Sequence, residues 1–334
     1  MQSASTGIET SAKHRTSVSA GPDRPAELSP VYRGRFAPSP TGPLHAGSLL
    51  AAVGSFLDAR VNGGEWLVRM EDLDPPREQP GAAADILRTL ELYGLTWDGP
   101  VLYQSARTNA YEQIVGDLLS KGLAFRCRCS RSEISAANEA AGRSSGNYPG
   151  TCRRLVVPAS EEHAVRLRVS DTPVAFTDHA QGPQASVLSD SAGDFVIRRR
   201  DGLAAYQLAV VVDDGFQGIT DVVRGTDLLD STPRQLYLQG LLDLPHPRYR
   251  HLPVIVTAAG DKLSKQTGAT ALPRDNPSAM LHKILGLLRH PPPRDLASAS
   301  PEDLLRWAVT QWDPGRLSGM QHIADPEASE LPSG

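Results

Sequence analysis

The chain is poor in cysteine, in long apolar runs and in net charge. Three cysteines in 334 residues make a poor disulfide framework, being odd in number and sparse. No apolar run approaches the ~20 residues that a membrane-spanning helix needs. Residues 1–30 are rich in Ser, Thr, Ala and Pro and have no apolar stretch of the secretory-signal kind, so they read as a disordered tail. The expected location is therefore cytoplasmic. A formal net charge of −4 excludes a general polyanion binder. Nucleic-acid contact would have to come from local patches such as Arg198, Arg199 and Arg200, or Arg248 and Arg250. A solvated face accounts for either patch equally well. The hydrophobic content of 40% is enough for a real core, in one large domain or two of about 150 residues. No internal repeat is visible.

The most informative stretch runs from Arg35 to Ser48, RFAPSPTGPLHAGS. A proline-rich turn leads to His45 and Gly47, and an apolar-periodic run comes at once with Leu49, Leu50, Val53, Phe56 and Leu57. A strand is expected to end near Phe36 and a helix to start near Gly47, with His45 at its entrance. Unsatisfied N–H groups and the positive end of a helix make such a place an anion site. Taken alone, a histidine beside a glycine is more often an ordinary strand-to-helix turn.

Further strands are expected over 66–70, 195–198, 208–213 and 252–256. The 208–213 run is read as a buried parallel strand because it is continuously apolar. Helices are expected over 82–93, after the Asp230–Pro233 start signal, over 280–288 and over 301–312. Alternating strands and helices imply an α/β fold with a doubly wound, Rossmann-like parallel sheet. The organisation expected is a tail over 1–30, a first half of a catalytic domain over 31–120, an irregular insertion over 121–194, a second half over 195–270, and a small helical module with a polar tail over 271–334. The pair Asp213 and Asp214 invites a metal reading, but acids at the ends of buried strands more often serve capping or loop structure.

Two further clusters carry chemistry. Residues 260–266, GDKLSKQ, place Lys262 and Lys265 around a serine on a turn, where they can hold a triphosphate. Cys127 and Cys129, one residue apart, and Cys152 beyond a Gly/Pro turn can wrap a zinc ion. A fourth ligand is then missing, and His163 is available by chemistry alone.

Together these strings resemble the class I aminoacyl-tRNA synthetases in their glutamyl and glutaminyl form. The segment from His45 to Ser48 is similar to the HIGH signature, keeping its histidine and glycine. Residues 262–266 are similar to the KMSKS loop, with Leu263 and Gln266 as departures. The resemblance covers most of 33–270. It implies that His45 and Gly47 meet ATP with Lys262 and Lys265, and that His45 and Lys265 are catalytic. It implies a glutamate pocket made of Arg35, Phe36, Ala37, Pro38, Ser39, Glu71, Tyr206 and Arg224. That set is chemically sensible: two carboxylates call for two guanidinium forks, and an ammonium calls for a carboxylate. Mg²⁺ is expected with ATP.

The Cys-x-Cys and Tyr-x-x-x-Cys spacing resembles the short paralogue branch of the family, and there it implies Cys127, Cys129, Tyr148 and Cys152 as a structural zinc set. The stretch after residue 270 is too small for an anticodon-binding domain, which also resembles that branch. The resemblance then implies an enzyme, expected as a monomer, whose partners are L-glutamate, ATP and the queuosine base of tRNA(Asp). Alternatives are a glutamyl-tRNA synthetase charging the 3′ end of tRNA(Glu), and a catalytically silent synthetase-like RNA-binding protein.

Overall fold

The computed structural model describes Met1 and residues 31–142, 147–257 and 270–325. From residue 31 onward the elements run in order as β1 (Arg33–Phe36), α1 (Ala46–Val61), β2 (Glu65–Met70), α2 (Ala82–Leu92), β3 (Leu102–Tyr103), α3 (Thr108–Ser120), β4 (Ala124–Cys127), α4 (Arg131–Ala140), β5 (Ala164–Leu167), β6 (Pro173–Asp178), β7 (Gly182–Val187) and α5 (Leu188–Ser191). Next come β8 (Val196–Arg198), α6 (Tyr206–Gln217), β9 (Asp221–Gly225), α7 (Thr232–Leu241), β10 (Arg248–Leu252), β11 (Val254–Val256), α8 (Pro277–Leu287), α9 (Pro301–Gln311) and β12 (His322–Ala324).

Among the described residues the strands form four ladders, β1-β2-β3, β7-β6-β10-β9, β4-β5-β8 and β11-β12. The pairings β1 with β2, β2 with β3 and β9 with β10 are parallel. β1 and β9 lie side by side, and the Thr220 N–H donates to the Arg33 carbonyl at 3.0 Å. Helix α1 crosses both strands, burying Leu49, Leu50, Val53 and Leu57. Gly54 lets the helix pack closely on Leu252 of β10, because a Cβ there would lie 2.3 Å from Leu252 Cδ1. α8 and α9 cover the other side of α1 and share its core through Leu281, Ile284, Leu304 and Ala308. The polar segment beyond α9 is not loose up to residue 325: Leu317 and Ile323 are buried, and β12 pairs with β11.

One expectation is overturned. The apolar run over 208–213 is the interior of α6, not a strand. An apolar run of this length fits a buried helix as well as a buried strand. Here the helix is packed on α3, α7 and β8, so both its faces take apolar residues and the amphipathic period is blurred. Asp213 and Asp214 therefore sit inside a helix rather than at a strand end. The strand over 195–198 does form, as β8, but it runs antiparallel to β5.

Candidate active site

The Pro-rich segment after β1 first carries on alongside the end of β2, where the Glu71 N–H donates to the Pro38 carbonyl at 3.0 Å. His45 caps α1: its Nδ1 accepts the Ser48 N–H at 3.4 Å. A cleft of about 300 Å³ opens between this helix start, the ends of β1 and β2, and the β9–β10 side. Arg35, Phe36, Ala37, Ser39, His45, Gly47, Glu71, Tyr206 and Arg224 all line it. The fold thus brings the residues at the amino-acid and helix-entrance positions to one cavity. Pro38 does not line it; its carbonyl accepts the Glu71 N–H. Lys262 and Lys265 lie outside the described residues.

The cleft is built on buried charge. Arg35 is 4% exposed and donates through Nε to Asp214 Oδ1 at 3.1 Å and through Nη2 to Oδ2 at 3.4 Å. Asp214 Oδ1 also accepts from Arg69 Nη1 at 2.8 Å, and Arg69 Nη2 lies 3.6 Å from Glu71 Oε1. Burial tends to push the Asp214 carboxyl up, but the Arg35 and Arg69 guanidinium groups win and hold it below the usual range. At Glu71 burial wins, and its carboxyl is raised despite Arg69 and Arg35. A raised acid with an arginine on one side is held short of full charge compensation, which a ligand ammonium can supply.

Arg224 faces these groups from β9. Its Nε donates to His251 Nε2 at 3.0 Å, and its Nη2 to Thr232 Oγ1 at 2.9 Å and to the Leu228 carbonyl at 3.3 Å. Its Nη1 is buried with no hydrogen-bond partner. Such a donor carries a penalty of about 1–3 kcal/mol or more until something accepts from it. Tyr206, at the start of α6, is exposed at the rim.

The acidic pair has no room for a metal. Asp213 accepts from Gln104 Nε2 at 2.9 Å, Tyr111 Oη at 2.7 Å and Arg107 Nε at 2.5 Å. Among the described residues, the one group of three or more His, Cys, Asp or Glu that can hold a metal is Cys127, Cys129 and Cys152. Their Sγ atoms lie within 4.8 Å of one another. The Tyr148 hydroxyl is 3.4 Å from Cys127 Sγ and 3.9 Å from Cys129 Sγ, and accepts the Cys152 N–H at 2.7 Å. His163 instead bonds the Glu161 carbonyl. The Tyr148 backbone is held by close packing on Gly193, where a Cβ would fall 2.8 Å from the Tyr148 nitrogen. Three thiols converging in this way can hold a zinc ion, and the Tyr148 hydroxyl stands beside them.

The arginine patches are paired with carboxylates except at the exposed Arg200, which donates to the Arg128 carbonyl. Arg198 meets Glu112, Arg199 meets Asp74 and Asp201, Arg248 meets Asp221, and Arg250 meets Asp58. Residue patterns alone do not bring forward Arg69, Asp178 or His251. Arg69 stands two residues before Glu71 on the same strand face, a spacing that could have pointed to it. Nothing local marks the other two.

The family model described as tRNA synthetases class I (E and Q), catalytic domain, matches residues 32–289. The chain belongs to this family of class I tRNA synthetases. It is an ATP-dependent ligase of the aminoacyl-tRNA synthetase type. It is similar to the glutamyl-Q tRNA(Asp) synthetase of Thiobacillus denitrificans, 55% identical over 280 residues that cover 84% of this chain and 92% of that protein. The protein of the same name from Pseudomonas aeruginosa strain PAO1 is 54% identical over 290 residues, covering 87% and 96%. That from Ectopseudomonas mendocina is 51% identical over 300 residues, covering 90% and 99%. Among solved structures, a glutamate tRNA ligase from Elizabethkingia meningosepticum, in complex with its amino acid, aligns with a TM-score of 0.72 at 26% identity. The alignment covers 87% of this chain and 66% of that ligase, so this chain spans just under two thirds of its length.

Proposed function

We infer that the chain activates L-glutamate with ATP as glutamyl-adenylate and transfers the glutamyl group to the queuosine base at the wobble position of tRNA(Asp). The observation that carries the amino-acid part is the unpartnered, buried Nη1 of Arg224 in a cleft that also holds Arg35 and Glu71. A dicarboxylic amino acid suits those three groups: one carboxylate for the unpartnered Nη1 of Arg224, a second beside Arg35, whose Nε and Nη2 are already on Asp214, and an ammonium for Glu71. The RNA target is drawn from the relatives, which share this chain's sequence over nearly their whole length and carry that activity in their name.

In this reading the catalytic domain is a Rossmann-like doubly wound sheet, with residues 121–194 as a zinc-bearing insertion and residues 271–334 as a helical module. The parallel β1-β2-β3 and β9-β10 ladders support it. Glutamate lies with its carboxylates toward Arg35 and Arg224, its ammonium toward Glu71, and Tyr206 beside it, against the segment from Phe36 to Ser39. ATP lies with its phosphates at His45, Gly47 and the start of α1, accompanied by Mg²⁺; Lys262 and Lys265 hold the triphosphate, and Lys265 neutralises the departing charge. An α-carboxylate oxygen attacks the α-phosphorus in line and pyrophosphate leaves. The nucleophile is already ionised, so positioning and charge stabilisation do the catalysis. A queuosine ring hydroxyl then attacks the acyl carbon and AMP leaves. Zinc at Cys127, Cys129, Tyr148 and Cys152 is structural, since all four positions are filled by protein.

The similarity to glutamate tRNA ligases favours a second reading, charging of tRNA(Glu) at its 3′ end. Transfer of labelled glutamate to tRNA pools with and without queuosine separates the two, alongside periodate-treated, queuosine-free tRNA(Glu). Labelling of tRNA(Asp) only when queuosine is present is expected. Labelling of tRNA(Glu), abolished by periodate, would replace the first reading with the second.

A further inference from the structure

Arg224 does not hold its own position in the cleft. It sits on β9 opposite His251 of β10, the two being register partners in a parallel ladder. His251 is 0% exposed. Its Nδ1 lies 2.6 Å from Asp178 Oδ2, at the end of β6, and its Nε2 faces both Arg224 Nε at 3.0 Å and the Thr232 hydroxyl at 3.3 Å. An arginine has only donors to offer. The Nε2 must therefore be the bare nitrogen, and the ring proton must sit on Nδ1 and point at Asp178. Asp178 is itself fixed, because its Oδ1 accepts the N–H groups of Ala180 at 2.9 Å, Gln181 at 2.8 Å and His251 at 3.2 Å.

We propose that Asp178 and His251 are positioning residues for the amino acid: by locking the His251 tautomer they hold the Arg224 guanidinium in the wall of the cleft, with Nη1 left without a protein partner. The proposal rests on the reading that Arg224 receives a substrate carboxylate. It adds two residues that touch no substrate, and it ties the hairpin of β6 and β7 to the pocket. The surroundings agree. The charged and titratable groups around the ring are Asp178 from β6, Arg224 from β9, Tyr249 from its own strand, and Asp227 from the turn before α7. Tyr249 stacks parallel to the imidazole at 6.1 Å and also underlies the Arg224 guanidinium at 5.4 Å. Burial and the neighbouring Arg224 cation outweigh the Asp178 hydrogen bond and keep His251 below its ordinary value, so the neutral ring is the resting form.

Asp178→Asn is the discriminating variant. The amide keeps a carbonyl for the three backbone N–H groups but presents NH₂ to His251 Nδ1. That drives the ring proton onto Nε2, where it opposes the Arg224 donor. Glutamate-dependent ATP–pyrophosphate exchange by the full chain is the assay. The KM for glutamate is expected to rise on the order of tenfold in Asp178→Asn and in His251→Ala, the scale of losing one charge-assisted hydrogen bond. The KM for ATP should stay put. The double variant should be no worse than His251→Ala, since both act through one contact. His251→Gln, which can accept from Arg224 and donate to Asp178, should fall between. An unchanged glutamate KM in a folded Asp178→Asn protein would overturn the proposal, as would additive effects in the double variant. Wild-type protein with no glutamate-dependent exchange would instead overturn the pocket reading beneath it.

Discussion

Asp214→Asn tests the charge network under the cleft most directly. The wild-type carboxylate is 4% exposed and takes three hydrogen bonds from two buried guanidinium groups, from Arg35 at 3.1 and 3.4 Å and from Arg69 at 2.8 Å. With its carbonyl in the Oδ1 position, asparagine keeps the two bonds made there. Its NH₂ then faces Arg35 Nη2, donor against donor, and the negative charge is gone. Two buried cations are left with Glu71, 3.6 Å from Arg69, and the more distant Asp213, which is already paired with Arg107. Breaking a buried ion pair from one side costs about 3–5 kcal/mol, and that is the loss expected in urea unfolding at neutral pH with matched m-values. Because the Asp214 carboxyl is held below its usual range, its contribution is present above the unfolded value of about 3.9 and fades as pH falls through the folded value. The gap between wild type and variant should therefore close on acidification below about pH 4. A neutral-pH loss under about 1 kcal/mol, the scale of an exposed pair, would refute the view that this network supports Arg35. So would a gap that persists in acid.

Glu71→Gln should behave in the opposite way. Burial raises the Glu71 carboxyl, so the native state gains from its proton at low pH and loses that gain as pH rises through the folded value. The variant should be at least as stable as wild type at neutral pH in urea unfolding, yet lose glutamate-dependent exchange. A variant less stable at neutral pH would contradict the direction of the shift. For the cysteine cluster, wild-type protein should carry equimolar zinc by elemental analysis and Cys152→Ser little. A chelator should lower the melting temperature of the wild type while leaving that of Cys152→Ser unmoved, and zinc-free wild type of unchanged melting temperature would remove the structural role.

Much of the site is legible before the fold because its signals are local. The helix entrance at His45 comes from a turn, a histidine and an apolar period within one short string, and His45 does cap α1. Cys127 and Cys129 are one residue apart, and Tyr148 and Cys152 lie on one turn, so their convergence needs only that the two short segments meet. The run over 208–213 misleads because apolarity reports burial, and burial on both faces is common to a central strand and a central helix. The same ambiguity hides the role of Asp214, which meets Arg35 of β1 and Arg69 of β2 only when the run is folded as helix α6.

The amino-acid string by itself determined the family, the helix entrance at His45 and the types of residue available to line the cleft. Tertiary structure alone decided how those residues are held: which arginine is spoken for by Asp214, which keeps an unpartnered Nη1, and which nitrogen of His251 faces Arg224. Those facts depend on contacts such as Asp178 with His251 and Arg69 with Asp214, 73 and 145 residues apart. Hydrogen bonds act over about 3 Å, so a chain cannot display them until strands distant in sequence lie side by side.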